Sequence, residues 1–204
     1  MGVTQGAGLS LQWFRNQLAA GANYDDLTGE AAKSPAGARG LFWLPYLMGE
    51  RTPHLDSSCR AAFVGLTAAH TRADMSRAVL EGVCYSQKDC LDIVESLGCG
   101  VQSVRLSGGG AKSAFWKQRF ADIFSKQVVI LETQEGSAYG AALLAMVGTG
   151  AFASVPEACR ATVREVETVR PTGDAAFYAK AHKVYQSLYP ALRESFRAIE
   201  ELGA

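Results

Sequence analysis

The chain has 204 residues, 48% of them hydrophobic, with 20 basic and 20 acidic side chains. That length is enough for one sizeable core and predicts a single domain or lobe. The balanced charge gives no electrostatic footprint for nucleic acid or an anionic membrane surface, and the longest apolar run, AALLAMV at 141–147, is far too short to span a bilayer.

MGVTQGAGLS has neither the basic region nor the apolar core of a signal peptide. In GLSLQWFRNQLAA (8–20), Leu9, Trp13 and Leu18 predict a short helix stopped by Gly21. Residues 29–40, rich in Gly, Ala, Ser and Pro, predict a loop, and GLFWLPYL (40–47) a buried strand ended by Pro45. GERTPHLDSS (49–58) reads as exposed loop, and AAFVGL (61–66) as a strand or short turn. Thr71 with Asp74 three residues on is a capping box, opening a helix through Met75, Val79, Val83, Leu91, Val94 and Leu97 to Gly98. Cys84 and Cys90 fall inside this helix as small buried hydrophobes. The five cysteines (59, 84, 90, 99, 159) form no CxxC pair and have no His at metal-ligand spacing, so reduced thiols in a cytoplasmic protein are expected, with no metal site.

VQSVRLS (101–107) and KQVVILE (126–132) predict strands flanking a helix with Trp116, Phe120, Ile123 and Phe124 on one face. Arg119 and Asp122 are expected on its solvated face. SAYGAALLAMVG (137–148) predicts a helix of small residues open to close backbone approach, and SVPE (154–157) a second capping box. A long helix from Asp174 is expected to kink or break at Pro190. Alternating strands and helices predict an α/β fold. Only about four strands are readable, fewer than a usual sheet holds, so the chain reads as a piece of a larger unit.

LSGGGAKS, between a strand and a helix, bears on function. Three glycines let a backbone come close to a ligand, and the amides opening the next helix suit phosphate. Ser113 can cap that helix or donate to a ligand, and Lys112 can supply charge. A plain strand-to-helix turn also uses glycine, and neither the Walker pattern nor a full dinucleotide fingerprint is present. Spacing alone leaves both readings open.

Three stretches together resemble a known family. YLMGERTPHLDSSCRAAFVGLTAAHTRADMSRAVLEGV, LSGGGAKSAFWKQRFADIF and EGSAYGAALLA are similar, in order, to the C-terminal signature region, adenosine loop and small-residue helix of the FGGY carbohydrate kinases. PYLMGERTP is most similar to the xylulose kinases among them, and the match runs from residue 1 to about 190. The resemblance implies a ribonuclease-H-like lobe of the actin/hexokinase ATPase type. It also implies ATP with Mg²⁺ on its phosphates, and transfer to a pentulose, D-xylulose at its 5-hydroxyl.

It further implies that residues 1–204 are the C-terminal, nucleotide-binding lobe, with the catalytic carboxylate and most sugar contacts in an N-terminal lobe; these residues alone would then be inactive. Carried over by position, Gly8 and Gln12 approach the phosphates, and Gly108, Gly109, Gly110, Ala111 and Ser113 the adenosine. Two positions depart from the family pattern: Gln127 stands where Pro is common, and Tyr139, near the expected adenine wall, where Leu is common. The competing reading is an actin-like lobe that binds no nucleotide, or a piece that self-associates through uncovered apolar surface.

Other polar residues have mainly structural readings. Glu50, Arg51 and His54 read as a loop held by an Arg–Glu pair; His70 and His182 as surface or capping residues; Trp116 as core; Glu81 as a partly buried hydrogen-bonding residue.

Overall fold

The computed structural model describes residues 1–133 and 136–203. Helix α1 (Ala7–Leu18) forms as predicted, but Ser10, Leu11 and Phe14 are buried while Leu9 and Leu18 are exposed. Its entry sets this face. A Cβ on Gly6 would collide with the Pro45 carbonyl, and Ser10 Oγ donates to Gly6 O while accepting from Trp43 Nε1 at 3.1 Å. Trp13 stacks on Trp43 with ring centroids 5.4 Å apart.

A second helix, α2 (Tyr24–Ala31), occupies part of the predicted loop. Asn23 Oδ1 accepts from Asp26 N at 2.8 Å and Asn23 N donates to Asp26 Oδ2 at 2.9 Å, a reciprocal cap. After a tight turn, β1 (Phe42–Leu44) pairs antiparallel with β2 (Ala62–Val64). Helix α3 (Arg72–Ser96) is the central element, with Thr71 and Asp74 capping as expected and Gly98 at positive φ just past its end. β1 crosses it so closely that a Cβ on Gly82 would strike the Trp43 carbonyl.

β3 (Ser103–Leu106) leads through the glycine loop into α4 (Ala114–Phe124) and β4 (Gln127–Leu131). β4 lies parallel to β3, Val104 opposite Val128. Helix α5 (Gly136–Gly148) buries Leu143 but leaves Leu144 and Met146 exposed; its small residues largely face solvent. Glu135, which opens the EGSAYG stretch, lies outside the described residues. In α6 (Val155–Thr162) Ser154 Oγ caps Glu157 N, but Glu157 reaches Ala153 N instead of Ser154 N, so the expected box is only half formed.

β5 (Glu165–Val169), which the sequence reading missed, pairs antiparallel with β4, giving the order β3-β4-β5. Its Glu165 and Glu167 pair with Arg105 and Lys117, charges suited to an edge strand. α7 (Ala175–Glu201) continues through Pro190 as one helix, so of the expected kink or break the break does not occur. Buried Tyr185, Tyr189 and Phe196 anchor it on both sides, which offsets the cost of about 3 kcal/mol for an interior proline. No helix among the described residues is long and apolar enough to cross a membrane. All five cysteines are free thiols, with Cys59, Cys84 and Cys90 buried.

Two polar expectations fail because α7 folds back over α3 and α4. Arg119 and Asp122 are buried, not solvated: Asp122 accepts from Arg119 at 2.7 Å and from Thr172 N at 2.6 Å. His182 is buried too, its Nε2 lying 2.9 Å from Asp89 Oδ1. Glu50 pins its loop without Arg51's side chain, accepting from Gln5 N at 2.9 Å and Arg51 N at 2.7 Å. Burial pushes the Glu50 carboxyl up from its ordinary value, and these donors only partly oppose that.

Candidate functional site

The start of α1 and the glycine loop meet across one cavity of about 640 Å³. Gly8 stands on one side; Gly109, Gly110, Lys112 and Ser113 stand on the other. The floor is apolar, with Val83, Trp116 and Phe120 among its residues.

Local geometry explains why glycine is used here. Gly108 holds φ 76° and ψ −159°, a conformation that L side chains rarely adopt, and turns the chain out of β3. Gly110 has little room, since a Cβ there would sit 3.3 Å from the Phe120 ring. Gly8 and Gly109 differ: neither needs positive φ, and a Cβ on either would meet nothing within 4 Å. Packing therefore does not require glycine at these two positions, and both open onto the cavity.

The two helix starts facing the cavity differ electrostatically. α4 is capped, Ser113 Oγ accepting from Trp116 N at 3.2 Å, which leaves the hydroxyl hydrogen to donate elsewhere. α1 carries no side-chain cap, so its first amides and the positive end of its dipole face outward beside Gly8. An anion is favoured at the α1 end; at the 108–113 end the polar groups on the wall are Lys112 and Ser113.

Of the seven residues expected at a site, Gly8, Gly109, Gly110 and Ser113 line this cavity. Gly108 shapes the loop, and Ala111 is buried beneath it. Gln12 is exposed one turn along α1 and is not part of the cavity wall. Sequence reasoning missed Tyr24, Asp25 and Thr28, which α2 brings to the same cavity. Their signal was the Asn23–Asp26 spacing, a readable helix start. Tyr139 and Gly140 line an adjoining cavity of about 700 Å³, which shares Arg105, Leu106 and Ser107 with the first.

Trp116 belongs to the core, as expected, with Nε1 donating to Leu80 O at 3.1 Å. Glu81 lies fully buried, held by Arg77 Nε at 2.6 Å and by Tyr178 Oη at 2.6 Å. Burial pushes its carboxyl up in spite of Arg77. It is locked inside the fold and does not line the cavity.

Residues 1–149 match the model of the FGGY family of carbohydrate kinases, C-terminal domain. The xylulose kinase of Bacillus subtilis is 39% identical over 205 residues, covering 100% of this chain and 40% of that protein. Among solved structures, a ligand-bound xylulose kinase from Lactobacillus acidophilus superposes with a TM-score of 0.90 at 30% identity, over 96% of this chain and 40% of the other. Gluconate kinase from the same species gives 0.88 at 30% identity, with the same coverage. The chain thus spans about 40% of the length of these relatives. With its α/β lobe of the actin-like ATPase type matched end to end by sugar kinases, the chain belongs to the FGGY family of carbohydrate kinases.

Proposed function

We propose that this chain is the nucleotide-binding lobe of an ATP-dependent sugar kinase, and that the intact enzyme phosphorylates a pentulose, D-xylulose at its 5-hydroxyl. The observation that carries the reading is the single cavity joining the uncapped start of α1 to the 108–113 loop. Its glycines fit a nucleotide: the space a Cβ would fill at Gly8 and Gly109 is open, and leaving it open exposes main-chain amides.

In this reading the α1 amides around Gly8 bind the phosphates, with Gln12 at the rim. Gly109, Gly110 and the Ser113 hydroxyl hold the adenosine, Gly108 and Ala111 fix the loop that presents them, and Lys112 adds positive charge. When bound, ATP would supply the phosphoryl group, and Mg²⁺ on its phosphates would spread the charge that develops. The chain's own contribution is positioning and exclusion of water. The carboxylate that accepts the sugar's proton belongs to the sugar-binding lobe, within the remaining length of the relatives.

The sugar assignment is supported by the PYLMGERTP stretch and the named xylulose kinases. A gluconate kinase has a lobe of the same architecture. Titration calorimetry with ADP tests the nucleotide reading on the 204 residues by themselves. Binding heat that disappears in Gly109→Asp is expected, with no phosphorylation of D-xylulose. Absence of heat at millimolar ADP in the folded chain would favour a non-catalytic, actin-like module.

A further inference from the structure

A second polar cluster lies apart from the nucleotide cavity, between α3, α7 and the 50–58 loop. We propose that Asp89, Asp92 and His182 bind one divalent transition-metal ion of the Zn²⁺ type.

The sequence arranges the donors. Asp89 and Asp92 are three residues apart on α3, so they share a face; His182 and Gln186 are four apart on α7 and look back at them. One ligand atom from each of Asp89, Asp92 and His182 lies within 4.8 Å of the others. Zinc–ligand bonds of about 2.0–2.2 Å in a tetrahedral shell would place ligand atoms about 3.3–3.6 Å apart, so a closure of about 1 Å completes the set.

Several features set this cluster apart from an exposed acidic patch. His182 is 6% exposed, and its ring lies nearly parallel to those of Tyr85 and Tyr185, tilted from them by 14° and 19°, so its orientation is fixed. Its Nε2 is 2.9 Å from Asp89 Oδ1, which also accepts from Gln186 at 2.8 Å. Its Nδ1 faces Asp92 Oδ2 at 3.8 Å. That separation is too long for a hydrogen bond but suits two ligands of one ion. Asp92 is steadied through Oδ1 by Lys88, leaving Oδ2 toward the imidazole.

Access exists as well. A cavity of about 380 Å³ opens on Asp89, Asp92 and Gln186 and is walled by His54, so the two carboxylates can be reached from solvent. Imidazole and carboxylate donors together suit a borderline ion of this kind.

The proposal does not rest on the nucleotide reading and is tested without ADP, by titrating the whole chain with Co²⁺ and following visible absorption and heat. The expected result is one Co²⁺ per chain with d–d bands, lacking the near-ultraviolet charge transfer that ligation by the free cysteines would give. Affinity should fall by about tenfold or more in both His182→Gln and Asp92→Asn. Asp92 is partly exposed, so Asp92→Asn keeps the fold, as circular dichroism would verify, and the test does not depend on the more buried histidine. No uptake at millimolar Co²⁺, thiolate bands, or undiminished binding by folded Asp92→Asn would overturn the assignment.

Discussion

Gly8 and Gly109 are glycines that packing does not require. At Gly110 and Gly6 the neighbouring atoms leave little or no space for a side chain, whereas at Gly8 and Gly109 the space is open. Gly8 lies within the first turn of α1, where alanine is the better helix former by about 0.5–1 kcal/mol. Gly8→Ala should therefore leave the chain as stable or slightly more stable in urea. It should weaken ADP on the order of tenfold, about 1.4 kcal/mol, because the methyl enters the space assigned to the phosphates. Unchanged ADP affinity in that variant would remove Gly8 from the site. The glycine loop was legible in sequence as the turn from β3 into α4; its reading as a nucleotide cradle came from its neighbours and not from its own spacing. Asp122 and His182 were not, since the groups that bury them come from 50 and 93 residues away in the chain. Helical periodicity reports which face is apolar; it does not report that a distant helix will cover the polar face as well.

Capping is where local sequence and element boundaries agree best. The Thr71–Asp74 box opens α3 as read, with Asp74 accepting from Thr71 N and Oγ1 at 2.8 Å each, and from Ser34 Oγ at 2.7 Å. Burial alone would raise the Asp74 carboxyl, but these bonds and Arg39 hold it down at about 2. A depressed carboxylate stabilises the fold above its unfolded value of about 3.9 and loses that contribution as pH falls through the folded value. The stability advantage of the native chain over Asp74→Asn in urea should thus be full at pH 5 and shrink as pH falls from about 4 toward 2. A gap that stays constant over that range would contradict the bonding seen here. Elements lacking an apolar period were harder to read. α2 is short and mostly polar, and its cap was its main signal. β5 is largely exposed, so the alternation in EVETV carries no core-facing row; pairing with β4 and ion pairs to Arg105 and Lys117 make it a strand. Pro190 misled in the opposite sense, because propensity was outweighed by the aromatic contacts of α7.

At the scale of the molecule, α3 organises the lobe: β1 crosses it, α2 and α4 flank it, and the α1 entry meets the 108–113 loop beside it. That convergence brings segments about 100 residues apart to one cavity, a product of topology that no local pattern reveals. Family resemblance supplied the fold in advance; of the residues it nominated, Gly8, Gly109, Gly110 and Ser113 meet at the cavity and Gln12 does not line it. The most direct measurement of the central claim is a crystal structure of the chain grown with ADP. The account predicts the diphosphate against the α1 amides at Gly8 and the adenosine against Gly109, Gly110 and Ser113. ADP bound elsewhere, or the 108–113 segment packed shut against α1 with ADP excluded, would contradict it.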